Sequence, residues 1–309
     1  MSRQVWEPEH VVGAELARAL VREQFGIAAE EIACVGQGFD NTAYLVDGAY
    51  IVRFPRRSVA AELIATERAL TPVIAPALPV RIPVARFAGV PSLGYPWPFV
   101  GYDVLAGETA CGFELANDER AALAAALGAF LRALHGIDPA QAIAGGLPGD
   151  TIGRLDHARR LPLATERYRE LETLGLIVDG AELLEFLAAH PPQPPQRSRI
   201  VHGDLYARHL LLDGERRLCG VIDWGDAHAG DPALDLAIAA TMLSERERPA
   251  FFTAYGAIDD ATWRRALYRG VYHAALVAHY GAHAPDAAML RSGLAGIAFA
   301  REAVRQLTA

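Results

Sequence analysis

The residues that could do chemistry gather in one stretch, "IVHGDLYARHLLLDGERRLCGVIDWGDAHAGDPALDLA", residues 200–237. Asp204 stands in a His202-Gly203-Asp204 run, His209 follows five positions later, and Asp223 lies in "VIDWGD" beyond an apolar segment. A carboxylate held in a loop can orient or deprotonate a hydroxyl, and a second carboxylate delivered by a hairpin can hold a divalent cation. Phosphoryl transfer needs those two parts, a cradle for the phosphates and a fixed positive charge upon them. A cradle has its candidate upstream in "VGQGFDNTAYLV", where Gly36, Gly38, Asn41 and Thr42 lie between two apolar runs. Small residues there let backbone N–H groups approach phosphate oxygens.

Elements of known kinds must position these groups. Residues 9–25 repeat apolar positions at helical spacing and close at Gly26, which predicts an amphipathic opening helix. "IACVGQG", "NTAYLVDG" and "AYIVRFP" are rich in Val, Ile and Tyr and broken by Gly, Asp and Pro, which predicts antiparallel strands with tight turns. A helix over 58–74 with Ser58 as its N-cap comes next, then strands in "VARFAGV" and "WPFVGYDVLAG". From residue 118 the pattern turns helical, beginning with "NDERAALAAALGAFLRALHGI", its N-cap candidate and its acidic first turn. It stays helical except for short strands within 199–223 and the stiff connector "PPQPP" at 191–195. At 309 residues the chain is long enough for two lobes. The expectation is an α+β chain with a small β-rich lobe over 1–103 and a larger, mainly helical lobe over 104–309. That plan is similar to the protein kinases.

"VHGDLYARHLLLD" followed by "GVIDWGDAHAGDPALDLA" resembles the aminoglycoside and macrolide phosphotransferases, whose signature runs HGDxxxxN, a strand, IDW and then DPxxDLA. The resemblance covers nearly the whole chain. It implies a bilobal, protein-kinase-like fold and a small-molecule O-phosphotransferase that moves the γ-phosphate of ATP or GTP to a hydroxyl of an antibiotic-like acceptor. It further implies Asp204 as the catalytic aspartate, Asp223 as the principal metal ligand and Asp235 as an acid supporting the catalytic loop. His209 stands where most branches carry a metal-binding Asn, and the macrolide branch is similar in carrying histidine there. Arg53 occupies the strand position where kinases keep lysine, with Glu67 in the following helix placed to pair with it; macrolide phosphotransferases resemble the chain here too. Arginine is always charged and forks onto two partners, unlike the point charge of lysine. The nucleotide base is expected between the lobes, on the backbone of "GYDVLAGE" through the Asp103 C=O and the Leu105 N–H. Mg²⁺ is the expected cation, with Mn²⁺ as an alternative. Choline, methylthioribose, homoserine and ketosamine kinases share the fold, as would a regulatory nucleotide-binding pseudokinase, so those alternatives stay open.

Composition narrows the partners. The net charge of −8 argues against nucleic acid, which is bound through clustered Lys and Arg. All 29 Lys/Arg positions are arginine, so any lysine-dependent chemistry must use another group. No apolar run approaches the roughly 20 residues of a membrane helix and "MSRQVWEPEH" lacks a signal pattern, so a cytoplasmic chain is expected. Cys34, Cys111 and Cys219 match no metal or redox spacing and are expected to be small buried residues. His135 reads as structural, and Trp224 as a buried aromatic. His273, His279 and His283 lack neighbouring carboxylates in sequence and are not expected to be metal ligands. Most of the excess acid falls in residues 104–309; Asp226 and the acids of "TLGLIVDGAELLEF" are candidates for an acceptor pocket.

Overall fold

The computed structural model describes residues 8–38, 40–143, 146–195, 197–284 and 286–308. They form two compact units. The first comprises the described residues up to Pro76, Arg81–Leu105 and Asp223–Asp226. Its helix α1 (Ala14–Phe25) precedes strands β1 (Ile32–Gln37), β2 (Asn41–Val46) and β3 (Tyr50–Pro55); helix α2 (Ser58–Ile74) and strands β4 (Ala85–Gly89) and β5 (Phe99–Asp103) complete it. The strands make one antiparallel sheet in the order β1-β2-β3-β5-β4. Alternation along β3 sends Val52 and Phe54 into a core with Leu20 and Val21 of α1, Tyr44, Val46 and Phe99. Arg53 therefore projects from the other face, where α2 carries Glu67.

Two helix starts differ from expectation. The first helix begins at Ala14 rather than residue 9, because Gly13 is extended and Val11 is exposed. Ser58 is the first residue of α2 and Arg57 its N-cap; Glu9 supplies the capping carboxylate, accepting from Ser58 N at 3.2 Å.

The second unit comprises Ala77–Val80, Ala106–Ile222 and the described residues from Ala227 onward. It contains β6 (Glu108–Thr109), α3 (Asn117–Gly136), α4 (Pro139–Ala142), α5 (His157–Thr173), α6 (Ala181–Ala189), β7 (Arg199–Val201), β8 (Leu210–Leu212), β9 (Leu218–Val221) and β10 (His228–Gly230). Helices α7 (Ala233–Met242), α8 (Arg248–Tyr255), α9 (Asp260–His283) and α10 (Ala287–Thr308) follow. Asn117 lies inside α3; the cap residue is Ala116, whose N–H is taken by Glu119 Oε2 at 2.7 Å. Strand β10, which was not foreseen, pairs with β7, and β6, β8 and β9 form a separate small sheet.

A core of Tyr168, Leu171, Leu183, Leu187, Leu267, Val271 and Val304 joins α5, α6, α9 and α10. Helices α9 and α10 approach closely because Gly293 faces Ala278: a Cβ at Gly293 would lie 2.2 Å from the Ala278 backbone nitrogen. Among the described residues no helix is long and apolar enough to cross a membrane. The three cysteines are not the buried residues expected from sequence. Cys34 is exposed on β1, an edge strand, while Cys111 and Cys219 are half-buried.

Candidate active site

In the second unit the loop after β7 is held by one buried acid. Asp235, at the start of α7, accepts from His202 N at 2.8 Å and from Gly203 N at 2.9 Å. His135 Nε2 also donates to it, at 3.2 Å, and accepts on Nδ1 from the Tyr255 hydroxyl. Gly203 has φ +83°, a conformation a side chain would strain, so the turn that aims Asp204 requires glycine. Asp235 is the acid the resemblance assigned to the support of this loop; His135, read from sequence as structural, hydrogen-bonds Asp235 in turn.

Two donors on α9 hold the Asp204 carboxylate. Oδ1 accepts from Arg269 Nη2 at 3.2 Å and from His273 Nε2 at 3.0 Å. Oδ2 makes no hydrogen bond among the described residues, which leaves it available to an incoming hydroxyl. Burial alone would raise the Asp204 pKa, but the His273 hydrogen bond and the nearby His209 and Arg269 hold it well below the usual carboxylate range. Burial, with Arg269 beside it, pushes the His273 imidazole down to about 4, so near neutrality the pair is carboxylate and neutral imidazole. A carboxylate of such low basicity orients a hydroxyl better than it strips one.

His209 is buried, and its Nδ1 donates to the Asp204 carbonyl at 2.7 Å. That bond sets the tautomer and makes Nε2 the nitrogen with the lone pair. The hairpin pairs Leu210 with Val221, and Ile222 N donates to His209 O at 2.9 Å. The next residue in the chain is Asp223.

Asp223 belongs to the first unit and has φ +65°, unusual for a residue with a side chain. Its Oδ1 accepts from Arg53 Nη2 at 2.9 Å. The other arm of the same guanidinium meets Glu67, Nη1 lying 3.2 Å from Oε1 and 3.0 Å from Oε2. Glu67 is fully buried and also accepts from the Tyr102 hydroxyl at 2.8 Å. Burial opposes charge on Arg53, but Glu67 and then Asp223 override it and raise the guanidinium pKa. Arg53 is thus a two-carboxylate clamp. The Asp223 carboxylate fits a divalent cation in being a hard oxygen donor that is about half exposed.

The turn between β1 and β2 is open where the sequence is small. A Cβ at Gly36 would meet nothing within 4 Å, and one at Gly38 only Asn41 O at 3.9 Å. Phe39 lies outside the described residues. Asn41 Oδ1 is buried without a partner among the described residues. The Thr42 side chain is buried on the same face as Tyr44 and Val46, so that position offers the turn its backbone rather than its hydroxyl. Asp103 closes β5 opposite Tyr50 with its carboxylate on Arg86 at 2.7 Å, and Leu105 follows two residues later. Trp224 is fully buried.

A cavity of about 590 Å³ opens beside His273. Its wall is mostly apolar, with Phe113, Leu115, Met242, Val277, Leu294 and Phe299; Tyr206 and Ala207 of the loop that carries Asp204 also line it. Its charged residues are Glu114, Arg120 and Arg291, with Arg120 lying 3.6 Å from Glu247. The acids of "TLGLIVDGAELLEF" are elsewhere: Asp179 caps Ala181, and Glu182 pairs with Arg305 at 2.8 Å. Sequence reasoning missed Arg269 and His273 as partners of Asp204, since they lie more than sixty residues away on a helix whose register only packing sets.

A sheet-based N-terminal unit, a helical C-terminal unit and a braced HGD loop before an aspartate-bearing turn define a nucleotide-dependent phosphotransferase with a kinase-like fold. The chain belongs to the phosphotransferase enzyme family, whose model matches residues 31–268. It is 25% identical over 226 residues to the uncharacterized protein YcbJ of Bacillus subtilis (strain 168), covering 70% of each. Viomycin phosphotransferase of Streptomyces vinaceus is 35% identical over 114 residues, a match spanning 36% of this chain and only 39% of that enzyme. Among solved structures, a GDP and kanamycin complex of APH(2")-IIIa superposes with a TM-score of 0.67 at 25% identity, covering 94% of this chain and 97% of that one. Macrolide 2'-phosphotransferase type I gives a TM-score of 0.62 at 20% identity over 93% of this chain and 98% of that one, a likeness of fold alone.

Proposed function

We propose that this enzyme transfers the γ-phosphate of ATP or GTP to a hydroxyl of an antibiotic-like compound with a largely apolar body, of macrolide type rather than a polycationic aminoglycoside. The observation that carries this reading is the cavity beside His273, whose wall is apolar and whose charged residues are two arginines and one glutamate. A polyamine is drawn to a pocket with an excess of acid, whereas a bulky apolar alcohol is held by area and a few polar groups.

Asp204 orients the acceptor hydroxyl through Oδ2 while Arg269 and His273 fix Oδ1. The acceptor oxygen forms a bond to the γ-phosphorus as the bond to the β–γ bridging oxygen breaks. The nucleoside diphosphate leaves, and the hydroxyl proton passes to Asp204 late, as its low basicity requires. Arg53 sits on the phosphates, and the backbone of the Gly36–Thr42 turn covers them. Asp103 and Leu105 offer backbone groups to the base. Asp223, as principal ligand, and His209 would hold the Mg²⁺ or Mn²⁺ ion, which would supply positive charge to the phosphates.

The test is a panel of macrolides, aminoglycosides, viomycin and metabolic alcohols with ATP and with GTP, read by diphosphate release and by the mass of the phosphorylated product. The expected result is the highest kcat/KM with a macrolide. Preference for an aminoglycoside would overturn the acceptor class, and nucleotide turnover with none of them would leave the acceptor reading without support.

A further inference from the structure

We propose that Glu170, His279 and His283 form a binding site for a first-row transition ion, Zn²⁺ foremost, which pins α5 to α9. The histidines lie one turn apart on α9 and so share a face, and Glu170 reaches them from α5. Glu170 Oε2 is 2.7 Å from His279 Nε2, and Oε1 is 2.9 Å from His283 Nε2. The three donor atoms all lie within 4.8 Å of one another. Bonds of about 2.0–2.2 Å to zinc would set tetrahedral donors about 3.3 Å apart, a closure that small side-chain rotations supply. Those rotations meet little resistance, since all three side chains are partly exposed.

The orientation of His283 favours a ligand. Its Nδ1 lies 2.8 Å from the His279 carbonyl and donates to it, so Nε2 is the nitrogen turned towards the carboxylate. A ring held through one nitrogen by a backbone carbonyl and presenting the other is how metal-ligating histidines are usually fixed. The pair of imidazoles with one carboxylate suits Zn²⁺, Co²⁺, Ni²⁺ or Cu²⁺, whereas Mg²⁺ and Ca²⁺ prefer oxygen donors throughout. Three protein ligands leave a fourth position for water.

The site would brace the helix that serves Asp204. His273, which donates to Asp204, lies six residues before His279 on α9. An ion joining α5 to α9 therefore stiffens the element that holds the catalytic carboxylate, without touching it.

The experiment uses the full chain, stripped with EDTA and titrated with Zn²⁺ by calorimetry and with Co²⁺ by visible absorption. One equivalent should bind with a Kd at or below about 10 µM, as expected for three nitrogen and oxygen donors. Millimolar Mg²⁺ should not displace it, and Zn²⁺ should raise the Tm. His279→Ala, His283→Ala and Glu170→Gln should each weaken binding at least about tenfold and cancel the Tm rise, while circular dichroism and the metal-free Tm stay at the wild-type values. Should an alanine variant fold poorly, His283→Gln keeps the bulk and removes the ligand. Asp223→Ala should retain the equivalent. Zn²⁺ affinity unchanged in the Glu170 and histidine variants, or lost in Asp223→Ala instead, would overturn the proposal.

Discussion

Arg53 is the residue whose replacement separates the role of charge from that of shape. Its guanidinium spans two carboxylates, one arm on the fully buried Glu67 and the other on the half-exposed Asp223. In Arg53→Met, Glu67 keeps only the Tyr102 hydroxyl as a partner among the described residues, and removing one member of a buried pair costs about 3–5 kcal/mol. At about 2–4 °C per kcal/mol for domains of this order of size, the Tm should fall by roughly 6–20 °C. Arg53→Lys keeps the charge, and one ammonium can still meet Glu67 while losing Asp223. That contact is exposed to solvent on the Asp223 side, so it is worth at most about 1 kcal/mol and the Tm should move only a few degrees. Nucleotide binding should suffer more. Losing one charge-assisted hydrogen bond to phosphate costs about 1.5–3 kcal/mol, or roughly 10- to 100-fold in Kd for ATP and GTP. Thermal melts and calorimetric titration of both nucleotides read these quantities without needing an acceptor. A Met variant that melts within about 2 °C of wild type, or a Lys variant with unchanged nucleotide Kd, would show that Arg53 merely follows the chain's avoidance of lysine.

Asp204→Asn should leave nucleotide Kd within about twofold while turnover drops at least about 100-fold, as the proposed role on the acceptor hydroxyl requires; turnover within threefold of wild type by steady-state kinetics would refute that role. His209→Asn should keep substantial turnover and shift preference from Mn²⁺ towards Mg²⁺, since imidazole suits the softer ion, and superimposable Mg²⁺ and Mn²⁺ titrations of the two proteins would exclude His209 from the metal. His273 titrates near 4 in the folded chain against 6.5 ordinarily, so between those values the unfolded chain binds more protons. The stability from its neutral burial is full above about pH 6.5 and is lost as pH falls towards 4, an effect on the order of 1–3 kcal/mol. Urea melts at a series of pH values should show this slope in wild type and a shallower one in His273→Gln; parallel slopes would mean that His273 is not the group responsible.

Local spacing carried most of the architecture. The alternation in "NTAYLV" and "YIVRFP", the Gly and Asp between them and the apolar repeat of 58–74 encode β2, β3 and α2, because the side-chain period of a strand or helix is a local property and β2 and β3 pair across a tight turn. The HGD run, the hairpin and the IDW turn are likewise short-range, and they set Asp204, His209 and Asp223 on adjoining stretches of backbone. The cap residues escaped because Glu9 reaches Ser58 from 49 positions away and Glu119 reaches back to Ala116. Cysteine exposure escaped because composition does not say which strand becomes an edge.

What tertiary structure alone decided is which side chains meet across elements. His279 and His283 have no carboxylate beside them in sequence, yet Glu170 arrives from α5 more than a hundred residues earlier. Arg269 and His273 reach Asp204 only because α9 packs in one register, and Arg53 reaches Asp223 across 170 residues. The physical reason is common to all three: a strand or helix specifies which residues share a face, but the rotation and translation of that face against its neighbour come from packing over the whole interface.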